Sequence, residues 1–331
     1  MTISVIIPVY NGAKLITRTL DSIVRQTLLP SEVILVDDGS IDDTYEIVKS
    51  HPLSAKTTFI VLQKKNGGVS SARNFGMLAA KSKYVAFLDA DDEFLPNHIA
   101  NLFNAAALFP DATLLFGAIQ RVFDTPELAF SENHLPDFRK IARSHCGLSS
   151  ESQASVMSLT LFNDLIKGNF INPSVCMFPR IIDGTPIFFD ESLKYAEDRA
   201  MFIFLASIDK TIFIDEISCN IYRTGVNVSN STNGRNSILH TTYSIKALES
   251  IINQNLFPEG SREKNLLLNE LSTRVDDLLY WSSRTGLKAT FAAIKIYRRW
   301  SKAFQPSICV RRLCYAALRS TLFPIRIFKR E

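Results

Sequence analysis

Four short runs of branched and aromatic residues, Ile3–Val9, Val33–Val36, Phe59–Leu62 and Tyr84–Leu88, are apolar at nearly every position rather than at every second one. A strand with that pattern has no face to turn to water, so it must be covered on both sides. The stretches between the runs supply the cover. Ile16, Leu20, Ile23 and Val24 recur at helical spacing, and Ser70–Lys81 is rich in helix formers. Short, doubly apolar strands alternating with helices predict an α/β domain with a mostly parallel sheet. Ligands of such sheets bind beyond the carboxyl ends of the strands, where loops lead into helices. What lies there is polar and acidic: Pro8-Val9-Tyr10-Asn11 after the first run, Asp37-Asp38-Gly39-Ser40 after the second, and Asp89-Ala90-Asp91-Asp92 after the fourth.

Of the 331 residues 46% are hydrophobic and 21% charged, enough to bury one large core or two modest ones and too apolar for a disordered chain. From about residue 110 to 235 the signals are shorter and mixed, with Leu114–Ile119, Val175–Phe178 and Thr211–Ile214 as strand candidates. From Asn236 onwards the chain reads as helices. Leu287, Phe291, Ile294, Tyr297, Trp300 and Phe304 form a stripe at steps of three and four, with Lys288, Lys295, Arg298, Arg299 and Lys302 between them. Residues 282–331 hold twelve Lys and Arg against one acid, Glu331, while the formal charge of the whole chain is only +4. The rest of the chain is therefore net acidic, and the basic end is expected to meet something anionic. Interleaved aromatic and aliphatic residues at helical spacing fit an interfacial helix on an anionic membrane better than a nucleic-acid groove.

Two acidic clusters at strand ends make the strongest chemical constellation. A diphosphate needs a divalent cation to neutralise it, and hard cations take carboxylate oxygens. Asp89-x-Asp91 on a turn can aim one carboxylate at a metal and the other at a sugar or ribose hydroxyl, or it can simply cap the next helix. Asp37-Asp38 can accept the imide N–H of a uracil ring or a ribose hydroxyl, with Ser40 and Asp42 as rival caps for a helix starting near Asp43. Asn66-Gly67-Gly68 turns into a helix whose first turns carry Arg73, a place for phosphate as well as for an ordinary surface arginine. His51, His98, His134, His145 and His240 are scattered, and the five cysteines at 146, 176, 219, 309 and 314 form no CxxC pair, which fits a reducing compartment.

These pieces resemble the family 2 glycosyltransferases of the GT-A fold. The match runs in the family's order through Ser4-Val5-Ile6-Ile7-Pro8-Val9-Tyr10-Asn11, Val36-Asp37-Asp38-Gly39-Ser40, Asn66-Gly67-Gly68 with Ala72-Arg73-Asn74-Phe75-Gly76, and Asp89-Ala90-Asp91-Asp92. The resemblance implies a GT-A-like domain over 1–235, divided into a nucleotide-sugar half (1–110, including Pro8) and an acceptor side (110–235), with a helical, basic region at 236–331. It implies that Asp38 contacts the base with Asp37 beside it, that Tyr10 packs on the base, that Arg73 serves base or phosphate, and that Asp91, with Asp89 as the first acid of the DxD, holds Mn²⁺ or Mg²⁺. Phe188-Phe189-Asp190-Glu191 and Tyr195-Ala196-Glu197-Asp198-Arg199 look like the segment that supplies the base. Asp198 takes that role and Glu197 is its alternate. Where relatives read Tyr-Arg-x-His, this chain reads Tyr222-Arg223-Thr224-Gly225, so Arg223 or the Ser229–Ser231 loop is left to cover the diphosphate.

The resulting expectation is an inverting, metal-dependent glycosyltransferase that moves a sugar from a nucleotide diphosphate sugar, the UDP form first, to a glycan hydroxyl. Its acceptor is expected to be lipid-linked, in cell-surface polysaccharide or lipopolysaccharide synthesis. A nucleotidyltransferase would open with a glycine-rich loop bearing Arg and Lys after the first strand, and a dehydrogenase with GxGxxG; neither is present. An inactive nucleotide-sugar or membrane-binding scaffold would need no base, and Asp198 speaks against it. Without a signal-like start or an apolar run near the roughly 20 residues that span a bilayer, the chain is expected in the cytoplasm, peripheral on the inner face of the membrane.

Overall fold

The computed structural model describes residues 1–125, 140, 143, 154–156, 160–223, 234–285 and 287–300. Thr224, Gly225, the Ser229–Ser231 loop and residues 301–331, which include Lys302 and Phe304, lie outside the described residues. Contacts divide the chain into two units, Met1–Asn227 and Val228–Glu331.

The first unit is built on strands β1 (Ile3–Val9), β2 (Glu32–Asp37), β3 (Thr58–Gln63), β4 (Tyr84–Phe87), β5 (Glu93–Phe94), β6 (Leu114–Phe123), β7 (Ala154–Val156), β8 (Cys176–Pro179) and β11 (Thr211–Arg223), with β9 (Ile181–Ile182) and β10 (Thr185–Pro186) as a separate hairpin. Its helices are α1 (Ile16–Val24), α2 (Thr44–Ser50), α3 (Val69–Ala79), α4 (His98–Leu108), α5 (Thr160–Leu165) and α6 (Glu197–Ile208). The main sheet runs β3-β2-β1-β4-β8-β6-β11-β5, and β7 pairs with β11. It is parallel through β3, β2, β1 and β4 and again between β6 and β11. Strand β8 enters antiparallel between β4 and β6, so the sheet is mixed although mostly parallel.

Parallel register carries the strand ends to one edge. Val9 lies opposite Asp37, and Asp37 opposite Gln63. Leu88 extends the β4 pairing by donating its N–H to the Ile6 carbonyl at 3.1 Å. The residues that follow, Tyr10, Asp38, Lys64 and Asp89, therefore emerge side by side. Beneath them Ile6, Ile7, Ile34, Leu35, Val85 and Phe87 are fully buried, as the doubly apolar runs require.

Helix α3 lies close on this sheet because of Gly76, where an added Cβ would stand 2.6 Å from Ile6 Cγ2 and 3.3 Å from Val36 Cγ2. Gly76→Val is expected to destabilise the fold by about 1–3 kcal/mol, because overpacking against two immobile strand residues outweighs the small helix-propensity gain over glycine. A melting temperature equal to that of the parent would show that the helix can retreat without cost.

The second unit consists of α7 (Gly234–Asn253), α8 (Arg262–Thr285) and α9 (Leu287–Trp300), packed through Ile245, Leu248, Ile251, Leu267, Leu271, Val275 and Leu278. The Leu287–Phe304 stripe, expected as one free apolar face, is divided. Of its members Tyr297 is buried, beside Thr290 and Ala293 from outside the stripe, and Trp300 Nε1 donates to Glu249 Oε1 at 2.6 Å, whereas Phe291 stands 68% exposed. Tyr297 and Trp300 are spent on the unit's own helices. Among the described residues no helix is long and apolar enough to cross a membrane.

Candidate active site

The loop after β1 and the loop after β2 are stitched together. Asn11 sits in the left-handed region at φ 51, donates its N–H to Ser40 Oγ at 2.9 Å, and accepts from the Ile41 N–H at 2.9 Å. Gly12 N–H donates to Thr44 Oγ1 at 2.8 Å. Pro8 is buried within β1 opposite Val36, so what reaches the edge is Tyr10, a residue 52% exposed. An exposed phenol at a strand end is a ready platform for a flat base.

Asp37 and Asp38 are both buried. Asp37 accepts from the Ser40 N–H at 2.9 Å and from Gln63 Nε2 at 3.1 Å, the turn chemistry that the sequence left open beside base recognition. Helix α2 has Asp43 at its N-cap without a side-chain cap bond, and Asp42, one residue earlier, accepts from the Thr44 N–H at 3.2 Å and from the Ala13 N–H at 3.2 Å, so neither Ser40 nor Asp42 is the cap proper. Asp38 pairs with Lys64 Nζ at 2.7 Å and accepts from the N–H groups of Gly67 and Gly68 at 3.0 and 2.8 Å. With both oxygens occupied, Asp38 shapes the 64–68 loop that feeds α3.

Helix α1 holds the acidic turn after β4. Arg18 Nη2 donates to the Asp91 carbonyl at 2.7 Å, Thr19 Oγ1 to the carbonyls of Ala90 and Asp92 at 2.9 Å, and Ser22 Oγ accepts from the Phe94 N–H at 3.2 Å. Arg18 also lies 3.5 Å over the ring of Tyr222, whose hydroxyl donates to Glu93 at 2.8 Å. Ser174, in a short 3₁₀ turn before β8, accepts from the Asp89 N–H at 3.1 Å and donates to Asp92 Oδ2 at 2.6 Å. Nothing in the sequence around Ser174, Arg18 or Tyr222 announces these roles, because each acts only through contacts made by the folded chain.

The three carboxylates repel one another. Burial first, then the charge of Asp89, pushes the Asp91 carboxyl above the ordinary aspartate range; burial, Asp89 and Asp91 do the same, more strongly, to Asp92. Asp89 is paired with Arg73 and Asp92 is hydrogen-bonded to Ser174, which leaves Asp91 as the member that, among the described residues, has no side-chain donor. The charge of Arg223, at the end of β11, reaches both Asp91 and Asp92. A hard cation at Asp91 would relieve this repulsion, and the donor set of carboxylate oxygens suits Mn²⁺ or Mg²⁺. No group of three His, Cys, Asp or Glu among the described residues makes a complete shell, so diphosphate and water oxygens would have to complete it.

Arg73 joins this cluster to the segment expected to carry the base. It is buried, donating Nη2 to Asp89 at 2.8 Å and Nη1 to Glu197 at 2.9 Å, and stacks 5.2 Å from the Phe189 ring centroid. Its neighbour Asn74 accepts from the Phe189 N–H at 2.8 Å and donates to the Phe189 carbonyl and to Glu191 at 2.9 Å. The two consecutive side chains therefore dock the 187–197 segment on α3. Ala196, at φ 61, turns the chain into α6 and sets Glu197 and Asp198 on its first turn. A non-glycine residue in that region costs about 1 kcal/mol or more, strain of the kind that functional turns retain.

Asp198 accepts from Asn169 Nδ2 and from the Arg199 N–H, both at 2.7 Å. Its carboxyl is pushed up to about 7, first by burial and then by the charge of Glu197, against the opposing pull of Arg73. A carboxylate near neutrality beside a cation-and-carboxylate cluster is suited to general-base work at physiological pH.

The family model for glycosyl transferase family 2 matches residues 4–159. An uncharacterized glycosyltransferase of Rickettsia typhi is 30% identical over 215 residues, which cover 65% of this chain and 62% of that protein. The minor teichoic acid biosynthesis protein GgaA of Bacillus subtilis is 26% identical over 204 residues, 60% of this chain and 42% of its own length. The chain thus spans less than two thirds of these relatives. Among solved structures, S. aureus TarS 1–349 superposes with a TM-score of 0.61 at 20% identity, covering 97% of this chain and 88% of that one. The same protein in complex with UDP-GlcNAc gives 0.56, with 90% of each chain covered. The likeness establishes the fold as GT-A-like.

Proposed function

This chain belongs, through residues 4–159, to glycosyl transferase family 2, and from that premise we propose that it moves a sugar from a nucleotide diphosphate sugar to a glycan hydroxyl with inversion. The observation that carries the reading is the chain of contacts Asp89–Arg73–Glu197, which brings Asp198 beside the acidic turn after β4. Asp198 removes the proton from the acceptor hydroxyl as its oxygen attacks the anomeric carbon. The bond from that carbon to the diphosphate breaks, and the nucleoside diphosphate leaves with the electron pair. Tyr10 offers its exposed ring to the base, and Arg223, whose charge reaches Asp91, would face the diphosphate, while Arg73, buried between Asp89 and Glu197, would act on it only through the charge of the cluster. A divalent Mn²⁺ or Mg²⁺ held at Asp91, with Asp89 behind it, would supply neutralisation of the leaving diphosphate.

A uridine donor is supported by the GT-A likeness to a protein whose structure was determined with UDP-GlcNAc. A cell-surface polymer as acceptor is supported by the similarity to a teichoic acid biosynthesis protein. The test is a melting screen of the full chain against UDP-, GDP-, ADP- and dTDP-sugars, each with and without Mn²⁺. A donor present at 100 times its Kd raises stability by about 2.7 kcal/mol, a readily seen shift. No shift from any nucleotide sugar would remove the donor from the account.

The basic end supports a reading of where the acceptor lies. We place a lipid-linked acceptor at an anionic cytoplasmic membrane face, approached by residues 301–331, which hold seven Lys and Arg, together with the exposed Lys295, Arg298 and Arg299 of α9. Each cation near such a leaflet contributes about 1 kcal/mol. Removing residues 301–331 is expected to release the protein from phosphatidylserine vesicles while the α7–α9 unit stays folded, and raised salt is expected to weaken binding of the full chain. A truncated protein that sediments as the full chain does would contradict this placement.

A further inference from the structure

The segment from 165 to 172 carries none of the family's motifs, yet it reaches the base. Helix α5 ends at Leu165, and the carbonyls of Leu165 and Ile166 accept hydrogen bonds from the Arg199 guanidinium, the first at 3.1 Å. Orphan carbonyls at a helix C-terminus favour such a cation. A few residues on, Asn169 Nδ2 donates to Asp198 Oδ2 at 2.7 Å, while Asn169 Oδ1 accepts from the Ile171 N–H at 3.2 Å. The second bond fixes the first: with its oxygen committed to an N–H, the amide must present NH₂ to the carboxylate. The other oxygen of Asp198 accepts from the Arg199 N–H at 2.7 Å. Successive residues of the first turn of α6, Asp198 and Arg199, are therefore both docked on the chain that follows α5.

We propose that Asn169 is the positioning residue of Asp198, holding its carboxylate in one orientation and favouring its ionised form. The proposal rests on the reading of Asp198 as general base. The charges that face Asp198 come from three elements: Glu197 on its own helix and Asp89 after β4 oppose a further negative charge, and Arg73 of α3 favours it. The thiol of Cys176 on β8 shares this environment and is kept neutral by burial. Asn169 adds a short hydrogen bond that exists at full strength only with the carboxylate. Without it the proton is held more tightly and the carboxylate can turn about its side-chain bond. Alignment and protonation state would be lost together, and both matter to proton transfer.

The experiment compares Asn169→Ala and the isosteric Asn169→Asp in the full chain, reading the Asp198 titration by carbon-13 NMR of labelled aspartate, with Asp198→Asn to assign the resonance. In Asn169→Ala the midpoint is expected to rise by about one pH unit, the size of one hydrogen bond to a charged group. In Asn169→Asp, which keeps the shape but adds a carboxylate, it is expected to rise further. The acidic limb of the UDP-GlcNAc hydrolysis profile with Mn²⁺ should move in the same direction, with donor KM unchanged. Midpoints equal to the parent's in both variants would overturn the proposal. Normal transfer by Asp198→Asn would instead remove the base reading, so the two failures are distinguishable.

Discussion

Asp198→Asn is expected to lower the transfer rate by about 10²–10⁴-fold while donor binding persists, the loss that accompanies removal of a general base. The amide keeps the size of the side chain but has one oxygen for two donors, Asn169 Nδ2 and the Arg199 N–H, so it keeps one of these hydrogen bonds and the loss of the other is expected to cost about 1–3 kcal/mol without unfolding the chain. What it cannot do is accept a proton. Because burial and Glu197 raise the Asp198 carboxyl to about 7, the parent enzyme should lose activity as the pH falls below that value, and the variant's residual rate should lack this limb. Glu197 provides the control. Its Oε1 is committed to Arg73, so Glu197→Gln weakens the bridge to Asp89 without removing the base. A large loss in Glu197→Gln combined with normal transfer by Asp198→Asn would exchange the two roles.

Asp91→Asn is expected to reduce metal-dependent donor affinity by at least about a hundredfold, since even outer-shell changes at metal sites cost about 10–100-fold. Stability should move the other way. A carboxyl whose proton affinity is raised in the fold destabilises the fold when it is ionised, through burial and the repulsion of Asp89. Its amide should therefore leave the melting temperature unchanged or higher. That opposition separates a ligand from a structural residue: a structural Asp91 would lower both quantities. Calorimetry with UDP and Mn²⁺ reads the binding, and equal affinity in variant and parent would remove Asp91 from the metal site.

Much of this architecture is legible in the chain because the evidence for it is local. The run Ile3–Val9 is β1 to the residue, and Phe59–Leu62 lies within β3, since branched residues at successive positions leave few alternatives. Strand β11 runs nine residues past Ile214. There Asp215 and Glu216 break the apolar pattern, and an irregularity between Ile214 and Ile217 absorbs the change. Strand β5, two residues long, exists only because β11 pairs with it. The site divides in the same way. Asp89, Asp91, Glu197 and Asp198 stand in short motifs, whereas Asn169 and Ser174 sit in a segment without one and are recruited across more than 25 positions of sequence. The stripe on α9 shows the opposite limit: helical spacing predicts an apolar face but cannot say whether that face meets lipid or the helices beside it. Asp38 is a related case, as its motif announces a carboxylate at a strand end, and only the fold shows it holding Lys64, Gly67 and Gly68.

The chemistry turns on which bond of the donor breaks. Glycosyl transfer by a positioned base predicts that the full chain, given UDP-GlcNAc and Mn²⁺ with water as the only acceptor, slowly releases the nucleoside diphosphate and free sugar, and that proton NMR taken before mutarotation shows the sugar with inverted anomeric configuration. Release of a nucleoside monophosphate with sugar 1-phosphate would place the cleavage at phosphorus, and free sugar of retained configuration would rule out a single displacement assisted by Asp198; either result would contradict the account.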